Sequence, residues 1–272
     1  MLLGNEFKPI SQVTSPSTLL NSKPGKELEV LVAVLQEELT EDEFAFIQTK
    51  LVEIAKGVDS TFSCETVALK IYNSLFKSGN LGAKTLKSRK HIIGFAAEFF
   101  LICILREQGY QQEFCYRNLE ENSAKKGFDG LYSKDDEMWL VESKSTYSEE
   151  THESRIVAAY NGLNSQLSGQ TSNDPWENAA SHAKNARPNN SLTKRLEEYS
   201  ESYMNGNFIT ISDSNIILGS TVVNEELVAL GDEIHFHNYV EKHQARKENI
   251  IAINLTSEDL FIKLLERLKN ES

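Results

Sequence analysis

The alternation of apolar and polar positions first becomes regular at Glu27–Leu35, where the chain alternates and then runs apolar as a strand does. The 25 residues before it are rich in Ser, Pro, Thr and Asn and read as an irregular arm. Thr40 followed by Glu43 forms a capping box that opens a helix through Lys56, with Phe44, Ile47, Leu51 and Ile54 at helical spacing. A second helix is expected over Cys64–Lys77, ending at Gly79, with Ser78–Gly82 as a hinge. These pieces read as an N-terminal α/β subdomain, residues 1–83.

From Lys84 to Gly109 the pattern predicts a long helix, apolar nearly all round after His91, which places it inside the fold. Three short segments with strand character follow: Gln112–Arg117, Gly127–Tyr132 and Glu137–Ser143. A helix is expected over Ser154–Leu167, and Asp174-Pro175-Trp176-Glu177 opens another that runs to Ala186 before Arg187-Pro188. Phe208–Ile211, Ile216–Val223 and Ile250–Leu255 read as strands, and Thr256 as the cap of a terminal helix carrying Leu260, Phe261, Leu264, Leu265 and Leu268. Strands and helices mixed in this way predict an α/β fold built on one central sheet.

Composition narrows the function classes. The 272 residues are 40% hydrophobic, enough for a core, and the 28 Lys+Arg against 40 Asp+Glu leave a net charge of −12. An acidic chain does not grip nucleic acid through its bulk field, so any DNA contact is local or shared with a partner. The longest apolar run, Ile92–Leu105, is interrupted by Gly94 and Glu98 and falls short of the ~18 residues of a membrane span. Met1–Pro9 lacks the basic start and apolar run of a secretory signal, and the odd set Cys64, Cys103 and Cys115 has no CxxC spacing. A cytoplasmic protein without membrane contact is expected.

The chemistry gathers in Gly127-Phe128-Asp129-Gly130 and, after a polar connection, Leu140-Val141-Glu142-Ser143-Lys144. Residues two apart on a strand share a face, so Glu142 and Lys144 project together, and a hairpin brings Asp129 within about one strand spacing, ~5 Å. Two carboxylates and the Ser143 carbonyl make a partial oxygen shell for a hard cation such as Mg²⁺, with Mn²⁺ as the alternative. A bound cation acidifies water, and an ammonium at Lys144 orients that water or stabilises a phosphoryl transition state. The bland readings are an Asp-Gly turn at Asp129 and a surface ion pair at Glu142 and Lys144; apolar Met138 and Leu140 on the same face weigh against the second.

This arrangement resembles the D…ExK core of the PD-(D/E)xK nuclease superfamily. More closely, the run from Lys126 to Ala183, with Leu140–Ser145 and Asn173-Asp174-Pro175-Trp176-Glu177, is similar to the HamA family, nuclease subunits of the bacterial Hachiman anti-phage defence system. The resemblance is carried by residues 85–185. It implies a restriction-endonuclease-like core over residues 84–272, with a central mixed sheet flanked by helices. It also implies cleavage of DNA by Asp129, Glu142 and Lys144, and restraint by a superfamily 2 helicase (HamB-like) until DNA is engaged. In many relatives of the superfamily a first-helix acidic residue joins the metal shell, a role that falls here to Glu98; its alternative is an ordinary buried ion pair.

Other candidates carry less. His152 and Glu153 lie in a stretch that reads as a plain loop. Arg155 and Gln166 are placed to meet DNA backbone or orient the catalytic groups, although a solvated helix face explains them better. Trp176 reads as a packing anchor, and His235, His237 and His243 as surface histidines, since no zinc-like spacing joins them. Basic runs at Lys84–Lys90 and Lys242–Lys247 are local positive patches. The rival to a nuclease is a non-catalytic DNA- or helicase-binding subunit that keeps the fold.

Overall fold

Nine residues of alternating and then continuous apolar character make β1 (Glu27–Leu35), and its partner is the last strand of the chain, β8 (Lys247–Leu255), in parallel register from Glu27↔Lys247 to Leu35↔Leu255. The computed structural model describes residues 27–78, 84–116, 127–147, 151–186, 189–226, 228 and 233–270. Beyond β8 lie β7 (Asn215–Val223), β6 (Glu137–Thr146), β5 (Gly130–Lys134) and β4 (Gln111–Gln112), in the order β1-β8-β7-β6-β5-β4 with β1 and β4 at the edges. β1, β8, β7 and β6 run parallel, and β5 and β4 are antiparallel additions. This mixed sheet flanked by helices is the α/β class expected.

Alternate strand positions sort the helices into two layers. Trp139, Val141, Ile217, Ile251 and Ile253 pack against α1 (Glu41–Lys56), α2 (Cys64–Ser74), α3 (Arg89–Glu107) and α8 (Leu260–Asn270). Leu140, Ile216, Leu218 and Ile250 pack against α4 (His152–Leu167), α5 (Pro175–Ala186), α6 (Asn190–Met204) and α7 (Glu233–Val240). Strands buried on both faces read as near-continuous apolar runs, as β7 does. β1 belongs to the shared sheet, and α1 and α2 to the same apolar layer as α3 and α8, so neither sheet nor core is interrupted at the boundary expected after residue 83.

Local signals account for most of the boundaries. Thr40 and Glu43 form the reciprocal capping box, and Asp174 Oδ1 accepts the Trp176 N–H at 2.8 Å at the start of α5. Other boundaries differ from the sequence pattern. The second helix stops at Ser74 because Phe76–Ser78 (β2) pairs antiparallel with Lys84–Leu86 (β3), which also delays α3 to Arg89. Residues 79–82 of the expected hinge lie outside the described residues, as do Arg117, Arg187 and Pro188. Of the strand expected at Gln112–Arg117, only Gln112 is in the ladder.

Phe208–Ile211 is not a strand. Phe208 packs on Tyr203 with ring centroids 5.0 Å apart, and the chain turns into a 3-10 helix at Ile211–Asp213. Thr256 does not cap the last helix; its N–H and Oγ1 both donate to Leu35 O, at 3.0 and 3.1 Å, tying off β1. α6 was not expected. His243 is buried instead of exposed, hydrogen-bonded to Glu248 at 2.6 Å and stacked on Tyr160, and His235 is exposed on α7, not on a strand. No helix among the described residues is long and apolar enough to cross a membrane.

Candidate active site

The β5–β6 hairpin turns at Asp135 and Asp136, both at positive φ (52° and 60°), so Asp129-Gly130 is not the turn but the entry to β5. Gly130 pairs with Val141, and the Asp129 N–H donates to Val141 O at 3.0 Å. The same register sets the Asp129 side chain against the middle of the Glu142-Ser143-Lys144 run, where Oδ2 accepts the Ser143 N–H at 2.7 Å.

Glu142 and Lys144 share the face covered by α4. Lys144 Nζ donates to Glu142 Oε1 at 2.5 Å, and Gln166 Nε2, from the last turn of α4, donates to Glu142 Oε2 at 3.3 Å. The helix comes this close because residue 162 is glycine: a Cβ there would lie 3.3 Å from Glu142 Oε1 and 4.0 Å from Lys144 Cε. Burial and the neighbouring Asp129 charge push the Glu142 carboxyl up to about 7, against the opposing pull of Lys144 and Gln166. Burial works against the Lys144 ammonium too, but the Glu142 and Asp129 charges outweigh it and hold its pKa above the usual lysine value.

A carboxylate whose ionisation is opposed by burial and by a second carboxylate beside it is chemistry a hard divalent cation relieves, so the donor set fits one. Among the described residues no group of three or more His, Cys, Asp and Glu is arranged to hold a metal. The protein would therefore supply two carboxylates and a carbonyl, leaving other positions to water and phosphate, the habit of Mg²⁺. Gln166 Oε1 is buried with no hydrogen-bond partner, an acceptor of the kind an ordered water satisfies.

The structure thus brings Asp129, Glu142, Ser143 and Lys144 together and adds Gln166. It does not gather Glu98 with them. α3 packs on the opposite layer, with Trp139 and Val141, and there burial, and after it the Glu98 charge, raise the pKa of Tyr132. His152, in a stretch read as loop, is the buried first residue of α4, with Nδ1 2.8 Å from Ser220 Oγ, and burial pushes its pKa down to about 4. Ser220 pairs across the parallel ladder with Lys144. Trp176 is wholly buried between Phe128 and Tyr199, a packing anchor. A cavity of about 640 Å³ beside the Asp135–Asp136 turn is not lined by the Asp129 group.

An α/β protein with a mixed sheet and an Asp, Glu and Lys cluster on adjacent strands is the class that fold and site define. Residues 20–265 match the family model HamA, and the chain belongs to the HamA family. That membership points to a component of the Hachiman defence system. Neither a curated protein nor a solved structure matches the chain.

Proposed function

We propose that this chain is a Mg²⁺-dependent DNA nuclease, the effector of an anti-phage system, restrained by a superfamily 2 helicase until the complex engages DNA. The observation that supports it most is the part-buried network in which Asp129 bonds Ser143 and Glu142 bonds Lys144 and Gln166 on adjacent strands. Asp129, Glu142 and the Ser143 carbonyl would hold the cation, which would supply an acidified water and neutralise charge on the phosphodiester. Glu98, in the other helix layer, is left out of that shell.

Each residue has a task that its surroundings favour. The Ser143 N–H fixes Asp129, and Gln166 fixes Glu142, so both carboxylates are held before substrate arrives. Lys144 Nζ, part-exposed above Glu142, can orient the attacking water and stabilise charge on the phosphoryl oxygens. The acidic balance of the chain assigns much of the DNA capture to the helicase.

The test is plasmid degradation by the chain with and without its candidate helicase, in Mg²⁺ and in EDTA, alongside Glu142→Ala. Mg²⁺-dependent degradation lost in the variant supports the reading. No cleavage by the chain or by the complex supplied with ATP and DNA overturns it.

A further inference from the structure

Beside the edge strand β4, Glu113 extends the pairing by one bond, its N–H donating to Leu131 O at 2.9 Å. Side chains two apart on a strand share a face, and Gln111 is paired with Ser133, so Gln111, Glu113 and Ser133 point to the same side of the sheet. They meet there: Glu113 Oε1 accepts hydrogen bonds from Gln111 Nε2 and from Ser133 Oγ, both at 2.9 Å. The other oxygen, Oε2, is buried without a hydrogen-bond partner, in a residue only 1% exposed. All three residues line the cavity of about 640 Å³ between the sheet edge and the start of α6, where Ser191 and Arg195 form the facing wall. A buried carboxyl oxygen that no donor reaches is costly, and a cavity of this size admits a small organic molecule.

The sign of that molecule follows from which charge is buried. Of the charged groups that line the cavity among the described residues, Glu113 alone is buried; Asp135, Asp136 and Arg195 are exposed at the rim, where solvent screens them. Lys134 is half-buried, with Nζ 4.5 Å from the centre of the Tyr110 ring. The neutral groups ask for a donor as well. Ser133 and Ser191 commit their hydroxyl protons inside the protein, to Glu113 Oε1 and to Asn189 Oδ1, so each offers a ligand lone pairs.

We infer that this cavity binds a small organic cation, an amine or a guanidine, whose N–H groups bond Glu113 Oε2 and the acceptor oxygens around it. A hydrogen bond between charged partners is the strong kind, and it satisfies the one oxygen that the fold leaves open. Asp135 and Asp136 face a second positive end of a longer ligand. The cavity lies at the exit of β5 and Asp129 at its entry, so the two sites share a strand and no side chain, and the inference stands apart from the nuclease reading.

The experiment is calorimetric titration of the full chain with agmatine, a guanidine that carries an amine at its other end, with spermidine, and with inorganic phosphate as the anionic control. Saturable binding of either amine is expected below about 10 mM, and none of phosphate. Glu113→Gln is expected to weaken it at least about tenfold, and the pair Asp135→Asn and Asp136→Asn by no more than about fivefold, since exposed charges are screened. Ser191→Trp, at the exposed mouth, fills the cavity and should abolish binding with the circular dichroism unchanged, so the test decides even where Glu113→Gln fails to fold. Binding of neither amine would overturn the inference, as would wild-type affinity in Glu113→Gln or in Ser191→Trp. Phosphate binding lost in Arg195→Gln would show that the rim and not Glu113 sets the sign, and affinity that falls in Glu142→Ala would place the cation at the Asp129 cluster; either overturns it.

Discussion

The backbone N–H of Ser143 is what holds the Asp129 carboxylate, at 2.7 Å from Oδ2. A backbone group thereby couples β5 to β6 at the point where Glu142 and Lys144 emerge. Side-chain substitution at Ser143 leaves that bond in place, whereas substitutions at the three charged residues act directly on the site.

Glu142→Ala and Lys144→Ala are expected to abolish detectable DNA cleavage, the lysine variant by at least about 100-fold. Both should keep their far-UV circular dichroism and, where wild type co-purifies with the candidate helicase, do the same. Loss of folding in both variants would refute the catalytic assignment.

Metal-free stability should reveal Glu142 by its pH dependence. Its pKa is raised in the folded state, to about 7 from an ordinary 4.5, so the native state favours the protonated form. The stabilisation is full below about pH 4.5 and is lost as pH rises through 7. In EDTA, thermal melts should show wild type losing about 1–3 kcal/mol relative to Glu142→Gln across that window. A constant difference between the two proteins would rule this out.

His152 should act with the opposite sign. Its pKa falls to about 4 from 6.5 on burial, so the native state favours neutral imidazole, and stability is lost as pH falls from 6.5 through 4. His152→Asn is expected to remove about 2–3 kcal/mol of that acid sensitivity. The Glu142 and His152 windows overlap, so wild type should look nearly flat between pH 5 and 6.5 while the two variants tilt in opposite directions.

Gly162→Ala sets helix propensity against function. Alanine in a helix interior gains about 1 kcal/mol over glycine. Here the new methyl meets Glu142 Oε1 at 3.3 Å, and Glu142 is held from both sides by Lys144 and Gln166. The expected result is a melting temperature at or above wild type with cleavage reduced several-fold, and Gly162→Leu should be inactive. Full activity in the leucine variant would show that α4 moves freely over the site.

The site was legible where it depends on spacing within one strand or across one hairpin. Glu142 and Lys144 share a face because they are two apart, and Asp129 meets them through hairpin register. Gln166 and Gly162 depend on where a helix lands on the sheet, and the placement of Glu98 depends on which layer its helix joins. Tertiary packing sets both. α6 left a signal that was missed: Leu192, Leu196, Tyr199 and Tyr203 are spaced four, three and four in an otherwise polar stretch. The strand pattern at Phe208–Ile211 misled because its apolar residues serve a loop that folds back on Tyr203 and Gly169. His243 reads as a surface residue in the sequence because its partner, Glu248, comes beside it only when the chain enters β8.

The adjacency of β1 and β8 has a consequence for synthesis. A ribosome adds about 5–20 residues per second from the N-terminus, so β1 emerges first and waits for nearly the whole chain before its neighbour exists. β8 also stands between β1 and β7, and β7 is the strand on which β6 is laid. A nascent chain therefore carries Asp129, Glu142 and Lys144 on β5 and β6 while β1 still has no strand to pair with, and the sheet gains its outer parallel pair only when β8 emerges.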